Sequence, residues 1–88
     1  MAKYDPLRDY LKTAPDVPLE MSFAEIERLL KDRLPDSARR YNEWWTDRST
    51  GTSHVQSRAW IDAGRHIVRV DRNSGRVWFS ARRFLDHV

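Results

Sequence analysis

The sequence predicts an α+β domain of about four helices closed by a C-terminal β-hairpin, and three observations carry that prediction. Ser22 and Glu25 have the spacing of a capping box in front of the apolar stripe Phe23, Ile26, Leu29 and Leu30. The segment 53–63 repeats the box with Ser53 and Gln56 and stops at Gly64, the residue that suits a left-handed C′ position. Beyond it, Val68 and Val70 alternate with polar residues, as do Val77 and Phe79, around the turn residues Arg72 to Arg76. A length of 88 residues allows one domain with a single small core.

Taken in order, Asp5-Pro6 reads as an N-cap followed by proline at the first helical position. Leu7, Tyr10 and Leu11 then recur at helical spacing, so a first helix is expected over 5–13. Pro15 and Pro18 make 13–18 a connector, and Val17, Leu19 and Met21 alternate as a short strand over 17–21. The second helix starts at Ser22 and ends before Pro35. Asp36 or Ser37 caps a third, with Ala38, Tyr41 and Trp45 on one side and Arg39, Arg40 and Glu43 on the other. Adjacent residues on a helix point about 100° apart, so Trp45 is expected to pack with Tyr41 and Ala38 while Trp44 bridges to a neighbouring element. In the fourth helix Val55, Ala59, Trp60 and Ala63 form the buried stripe. The hairpin, 67–81, turns Val68, Val70, Val77 and Phe79 inward and Arg69, Arg76 and Trp78 outward, with Phe84 and Leu85 covering Trp78.

Composition narrows the function classes. Hydrophobic residues at 40% and charged residues at 33% describe a folding chain, and without cysteine there is neither a disulfide framework nor a thiolate zinc site. No stretch approaches the roughly 20 apolar residues of a membrane span, and 1–10 lacks a signal-peptide core, so a cytoplasmic protein is expected. His54, His66 and His87 are scattered, and no glycine-rich phosphate loop occurs, so no metal, cofactor or catalytic role is expected. The net charge of +3 is unevenly spread: residues 1–47 hold eight cations against ten carboxylates, and residues 48–88 hold eight arginines against three.

Several phrases resemble a family of small uncharacterised bacterial and archaeal domains. They are Ser22-Phe23-Ala24-Glu25-Ile26-Glu27, Leu34-Pro35-Asp36-Ser37-Ala38-Arg39, the pair Trp44-Trp45, and His54 through Gly64. The resemblance implies company with DNA-acting or defence proteins. The chain departs from it at Asp47, where an Asn usually follows the tryptophan pair, and at Arg65, where an aromatic usually follows the glycine. Independently, Ser57 to Phe79 is similar to the end of winged-helix repressors, where a helix closing in Ala-Gly leads into a valine-rich wing with a basic tip. That likeness implies a winged-helix-like fold, from which the insertion 36–52 departs.

The function expected from these readings is binding of double-stranded DNA, as a regulator or a DNA-reading accessory. A recognition helix needs hydrogen-bonding side chains near its N-terminus, which His54, Gln56, Ser57 and Arg58 supply, with Gln56 and Arg58 suited to base edges. Phosphate contacts fall to Arg65, Arg69, Arg72 and Arg76, with Arg82 and Arg83 following the second strand. The alternative is a protein-interaction module, such as a small inhibitor, antitoxin or defence adaptor, or a homodimer. Trp44 and Trp78 with Arg39 and Arg40 would form its interface, since Trp and Arg are enriched at binding hot spots.

Overall fold

The computed structural model describes residues 3–45 and 56–82. Its elements run α1 (Asp5–Thr13), β1 (Leu19–Ser22), α2 (Phe23–Leu30), α3 (Asp36–Arg40), a 3₁₀ turn (Asn42–Trp45), α4 (Ser57–Ile61), β2 (Ile67–Asp71) and β3 (Arg76–Phe79). This is an α+β domain. The expected strand over 17–21 is β1, two residues later because Pro15 and Pro18 hold the connector in a turn, with the Val17 N–H donating to the Pro15 carbonyl at 2.8 Å.

Ser22 ends one element and starts the next. It is the last residue of β1, paired with Arg76, and its Oγ accepts from the Glu25 N–H at 3.0 Å while Glu25 Oε1 accepts from the Ser22 N–H at 2.8 Å. The capping box therefore fixes where α2 leaves the sheet. The Phe23 N–H continues into the hairpin turn, donating to the Gly75 carbonyl at 2.8 Å. Gly75 has φ +69°, a conformation that favours glycine. At α1 the helix begins at Asp5 with Tyr4 as its N-cap, so Asp5 serves the first turn through its charge rather than as a side-chain cap.

The sheet has the order β1-β3-β2, antiparallel throughout. In β2, Ile67 pairs with Phe79 and Arg69 pairs with Trp78, so Val68 is the extra residue of a β-bulge and lies 61% exposed. The expected inward pair Val68 and Val70 is thereby corrected: the bulge shifts the alternation by one, and Ile67 joins Val70 against the core. Arg69, Arg76 and Trp78 keep the opposite face.

A second correction concerns α3, which ends after five residues. Tyr41 is extended (φ −130°, ψ 130°) and 56% exposed, so it does not share a buried stripe with Ala38 and Trp45. The chain instead reaches the core through the 3₁₀ turn, where Trp45 Nε1 donates to the Ala38 carbonyl at 2.8 Å. From there a row of rings crosses the domain: Phe23 to Trp45 at 5.1 Å, then Trp45 to Trp60 and Trp60 to Phe79 at 6.0 Å each. Leu7, Leu11, Ile26 and Val77 pack around it.

α4 closes as its sequence predicts. Gly64 has φ +79°, the Arg65 N–H donates to the Trp60 carbonyl and the Gly64 N–H to the Ile61 carbonyl, which is the double closure of a Schellman motif. The proposed cap Ser53, the recognition-helix candidate His54 and the cover Phe84-Leu85 lie outside the described residues. Among the described residues no helix is long and apolar enough to cross a membrane.

Candidate nucleic-acid interface

The Schellman closure delivers Arg65 into the protein rather than to its surface. Only 2% of the residue is exposed, and each of its five N–H bonds meets a backbone carbonyl. Nε donates to Leu11 at 2.8 Å, Nη1 to Val17 and Ser80 at 2.9 Å each, and Nη2 to Pro15 at 2.8 Å and Ala14 at 3.4 Å. The Leu11 carbonyl is one of those that α1 leaves unpaired at its C-terminus, where a cation is also favoured by the helix dipole. Burial, and then the nearby Arg82 charge, lower the pKa of this guanidinium. The expected phosphate contact at Arg65 is corrected: the donors are spent inside.

α4 is corrected in the same sense. Ser57 is fully buried and Gln56 is 7% exposed, with its Nε2 donating to the Trp44 carbonyl at 3.2 Å, so neither belongs to a solvent face. Arg58 is exposed as expected, but its Nη2 lies 3.3 Å from Asp62, one helical turn on. Nearby, a cleft of about 410 Å³ between α4 and the start of α1 takes in Lys3, Arg8 and Arg58. Each of those cations is already matched, by Asp32, by Asp5 and Asp9, and by Asp62 respectively.

Three of the four expected protein-interface residues, Trp44, Trp78 and Arg39, are engaged within the fold, and Arg40 is exposed. Trp44 lies edge-on to Tyr4 and Trp45, at 6.0 and 4.6 Å, bridging to the start of α1. Arg39 pairs with Glu27 at 3.0 Å and stands 5.7 Å over the Phe23 ring. Glu27 Oε2 also accepts from the Leu34 N–H, and these contacts, Arg39 first, lower its pKa. Trp78 is half-buried, with the Arg69 guanidinium 4.8 Å over its ring, and Arg76 pairs with Glu20 at 2.9 Å on the same face.

Five exposed arginines form no ion pair among the described residues, and three of them, Arg40, Arg69 and Arg72, belong to the hairpin and to the segment it touches. Arg72, at the hairpin turn, donates from Nε to Asn42 Oδ1 at 2.7 Å and from Nη1 to the Arg40 carbonyl at 2.8 Å. That places Arg40 beside it, and Arg69 and Arg72 share a cleft with Asn42. The carboxylate there, Asp71, accepts from the Ser74 and Asn73 N–H groups at 3.3 and 3.1 Å. Those turn contacts, Ser74 foremost, hold its pKa below the usual range. Arg28, Lys31 and Arg33 form a second unpaired group around an open depression at the end of α2, where they face both Glu27 and Asp32. Among the described residues no cluster of His, Cys, Asp and Glu could hold a metal ion.

One family model matches residues 4–82, from the turn before α1 to the chain beyond β3. The chain belongs to the domain of unknown function DUF7662. No curated protein and no solved structure matches it. Membership agrees with the resemblance read from the motifs at 22–27, 34–39, 44–45 and 54–64; it carries no support for the winged-helix likeness. Within this DUF7662 domain, sequence reasoning missed the meeting of Arg72 with Asn42 and Arg40. The partners lie 30 and 32 residues apart, so no local pattern marks them.

Proposed function

We propose that this DUF7662 domain binds double-stranded DNA through the face formed by the β2–β3 hairpin and the α3 to 3₁₀ segment, with a further contact from α4. The observation that carries this reading is the set Arg40, Arg69 and Arg72, exposed arginines that form no ion pair, with Arg69 and Arg72 lining one cleft and Arg72 hydrogen-bonded to the Arg40 carbonyl. A cation already paired must lose its partner before it meets a phosphate; these three lose none. Guanidinium groups suit phosphate because their planar fork matches its oxygens.

The order of elements supports the reading further. A short helix, α4, leads into the β2–β3 hairpin, whose second strand pairs with β1, so the arginine-bearing turn stands at the end of a three-stranded sheet. In this reading Arg69 and Arg72 meet phosphates, Arg76 joins them only by exchanging Glu20, and Arg58 is the α4 residue available to a base edge. The role is a regulator or DNA-reading accessory in the cytoplasm, without catalysis.

Titration of fluorescein-labelled duplexes of random and defined sequence, at two salt concentrations, tests it. Micromolar or tighter binding that falls steeply with salt is expected. A folded protein that binds no duplex at low salt overturns the proposal and turns attention to a protein partner.

A further inference from the structure

The hairpin turn and the 3₁₀ turn enclose a cleft of about 290 Å³ lined by Asn42, Arg69, Val70, Asp71, Arg72 and Asn73. Its size falls just below the usual range of small-molecule pockets, roughly 300–1,000 Å³, and its lining lacks their apolar and aromatic walls. Such a space suits a small hydrated anion better than a base or a cofactor.

Arg72 is oriented for that purpose. Its two contacts, to Asn42 Oδ1 and the Arg40 carbonyl, fix the guanidinium through Nε and Nη1. A guanidinium carries five N–H bonds, so three remain, two of them on Nη2. Asn42 accepts through its oxygen and keeps its amide N–H bonds as donors. Arg69 also lines the cleft, and its guanidinium lies 4.8 Å over the Trp78 ring, a cation–π contact that takes none of its N–H donors. The one carboxylate in the lining, Asp71, spends Oδ1 on two turn N–H groups, whose dipoles offset its charge. The depression at the end of α2 differs in this respect, since Glu27 and Asp32 both face it.

We propose that this cleft seats a single phosphate group, with Arg72 and Arg69 on its oxygens and Asn42 as a neutral donor. The Arg40 carbonyl holds Arg72 in place beside it. The inference rests on the DNA reading for its source, a duplex phosphodiester, although free phosphate presents the same chemistry. The insertion between α2 and α4 is thereby part of the binding surface.

Arginine Nε–Hε resonances of the full chain, followed by NMR during titration with a 15-base-pair duplex and separately with inorganic phosphate against chloride of equal ionic strength, test it. Movement of the Arg69 and Arg72 signals with both ligands is expected. Arg72→Lys, which keeps the charge and loses the fork, weakens duplex binding several-fold; Asn42→Ala, which leaves every cation in place, weakens it less. Duplex binding that moves Arg58 and leaves Arg69 and Arg72 still overturns the seat and the hairpin face, while sparing duplex binding by the domain. Movement with phosphate but no duplex binding sustains the seat, assigns it to free phosphate and overturns the DNA reading. Silence of both arginines with both ligands overturns the seat outright.

Discussion

Arg65 and Arg72 bracket the strand β2 and have opposite fates. At one end Arg65 is buried with all five donors on carbonyls of α1, the connector and the chain after β3. At the other Arg72 is exposed and commits two donors, to an amide oxygen and one carbonyl. The side chain is the same; the neighbours differ. A helix C-terminus and a proline-rich connector present unpaired carbonyls, which a buried guanidinium satisfies. A hairpin turn satisfies its own backbone, through Asp71 and Gly75, and leaves its arginine to look outward. Arginine content therefore says little about ligand binding until the donors already spent are subtracted.

Removing the buried arginine should produce the largest effect. Arg65→Met fills part of the volume but strands five carbonyls that no side chain replaces, so a loss of about 3–5 kcal/mol in stability is expected, by analogy with breaking one side of a buried ionic contact. For a domain of this size each kcal/mol lowers Tm by roughly 4–8 °C. Urea unfolding followed by tryptophan fluorescence measures it. A loss under about 1 kcal/mol would mean that water or a rearranged connector satisfies those carbonyls, and the contrast with Arg72 would collapse.

The exposed end predicts the converse. Arg69→Ala with Arg72→Ala should leave stability within about 1 kcal/mol, as surface changes usually do, yet flatten the dependence of log affinity on log salt. Removing two phosphate-binding cations reduces that slope by roughly 1.8 for duplex DNA. Salt titrations of wild type and double variant, both checked for folding, decide it. An equal slope in the two proteins breaks the assignment of these residues to phosphate.

Arg39 lies between the extremes, exposed but ion-paired, and it sharpens the comparison through pH. Glu27 has its pKa lowered by Arg39 and by the Leu34 N–H, so the folded state holds the carboxylate more firmly than the unfolded chain, where it titrates near 4.5. Its stabilisation is complete above that value and is lost as pH falls through the lower folded pKa. The size is at most about 1 kcal/mol, because Arg39 is solvent-screened. Asp32 and Asp71 are lowered too and titrate in the same acid range, so the informative quantity is the difference between wild type and Glu27→Gln. That difference should vanish below the folded pKa; a constant offset at all pH values would exclude the ion pair as its cause.

Local chemistry made much of this fold legible. The box at Ser22 and Glu25, the span 5–13 and the glycine closure at Gly64 each follow from residues within one or two turns, and each stands in the structure as read. Failures came where a distant partner or a shift of phase decides the outcome. The bulge at Val68 moves the alternation by one residue, and the turn at Tyr41 cuts α3 short, neither with a distinct residue signature. The fate of Arg65 depends on carbonyls up to 54 residues away, and Gln56 is drawn inward by the Trp44 carbonyl. Spacing along a helix identifies which residues share a face; it does not say whether that face meets solvent.

Arg58 supplies the smallest and most discriminating effect. Its pair with Asp62 runs with the cation N-terminal to the acid, the weaker orientation against the helix dipole, so Arg58→Ala should change stability by less than about 0.5 kcal/mol. For binding, a base-edge contact and a phosphate contact separate cleanly. Loss of a base contact relaxes sequence preference with little change of salt slope, whereas loss of a phosphate contact lowers affinity across all sequences and reduces the slope by roughly 0.9. Measured on a preferred and a random duplex, Arg58→Ala is expected to show the first pattern, and Arg72→Ala the second. The same pattern for both would leave α4 with no reading role and make the hairpin side of the domain its whole DNA contact.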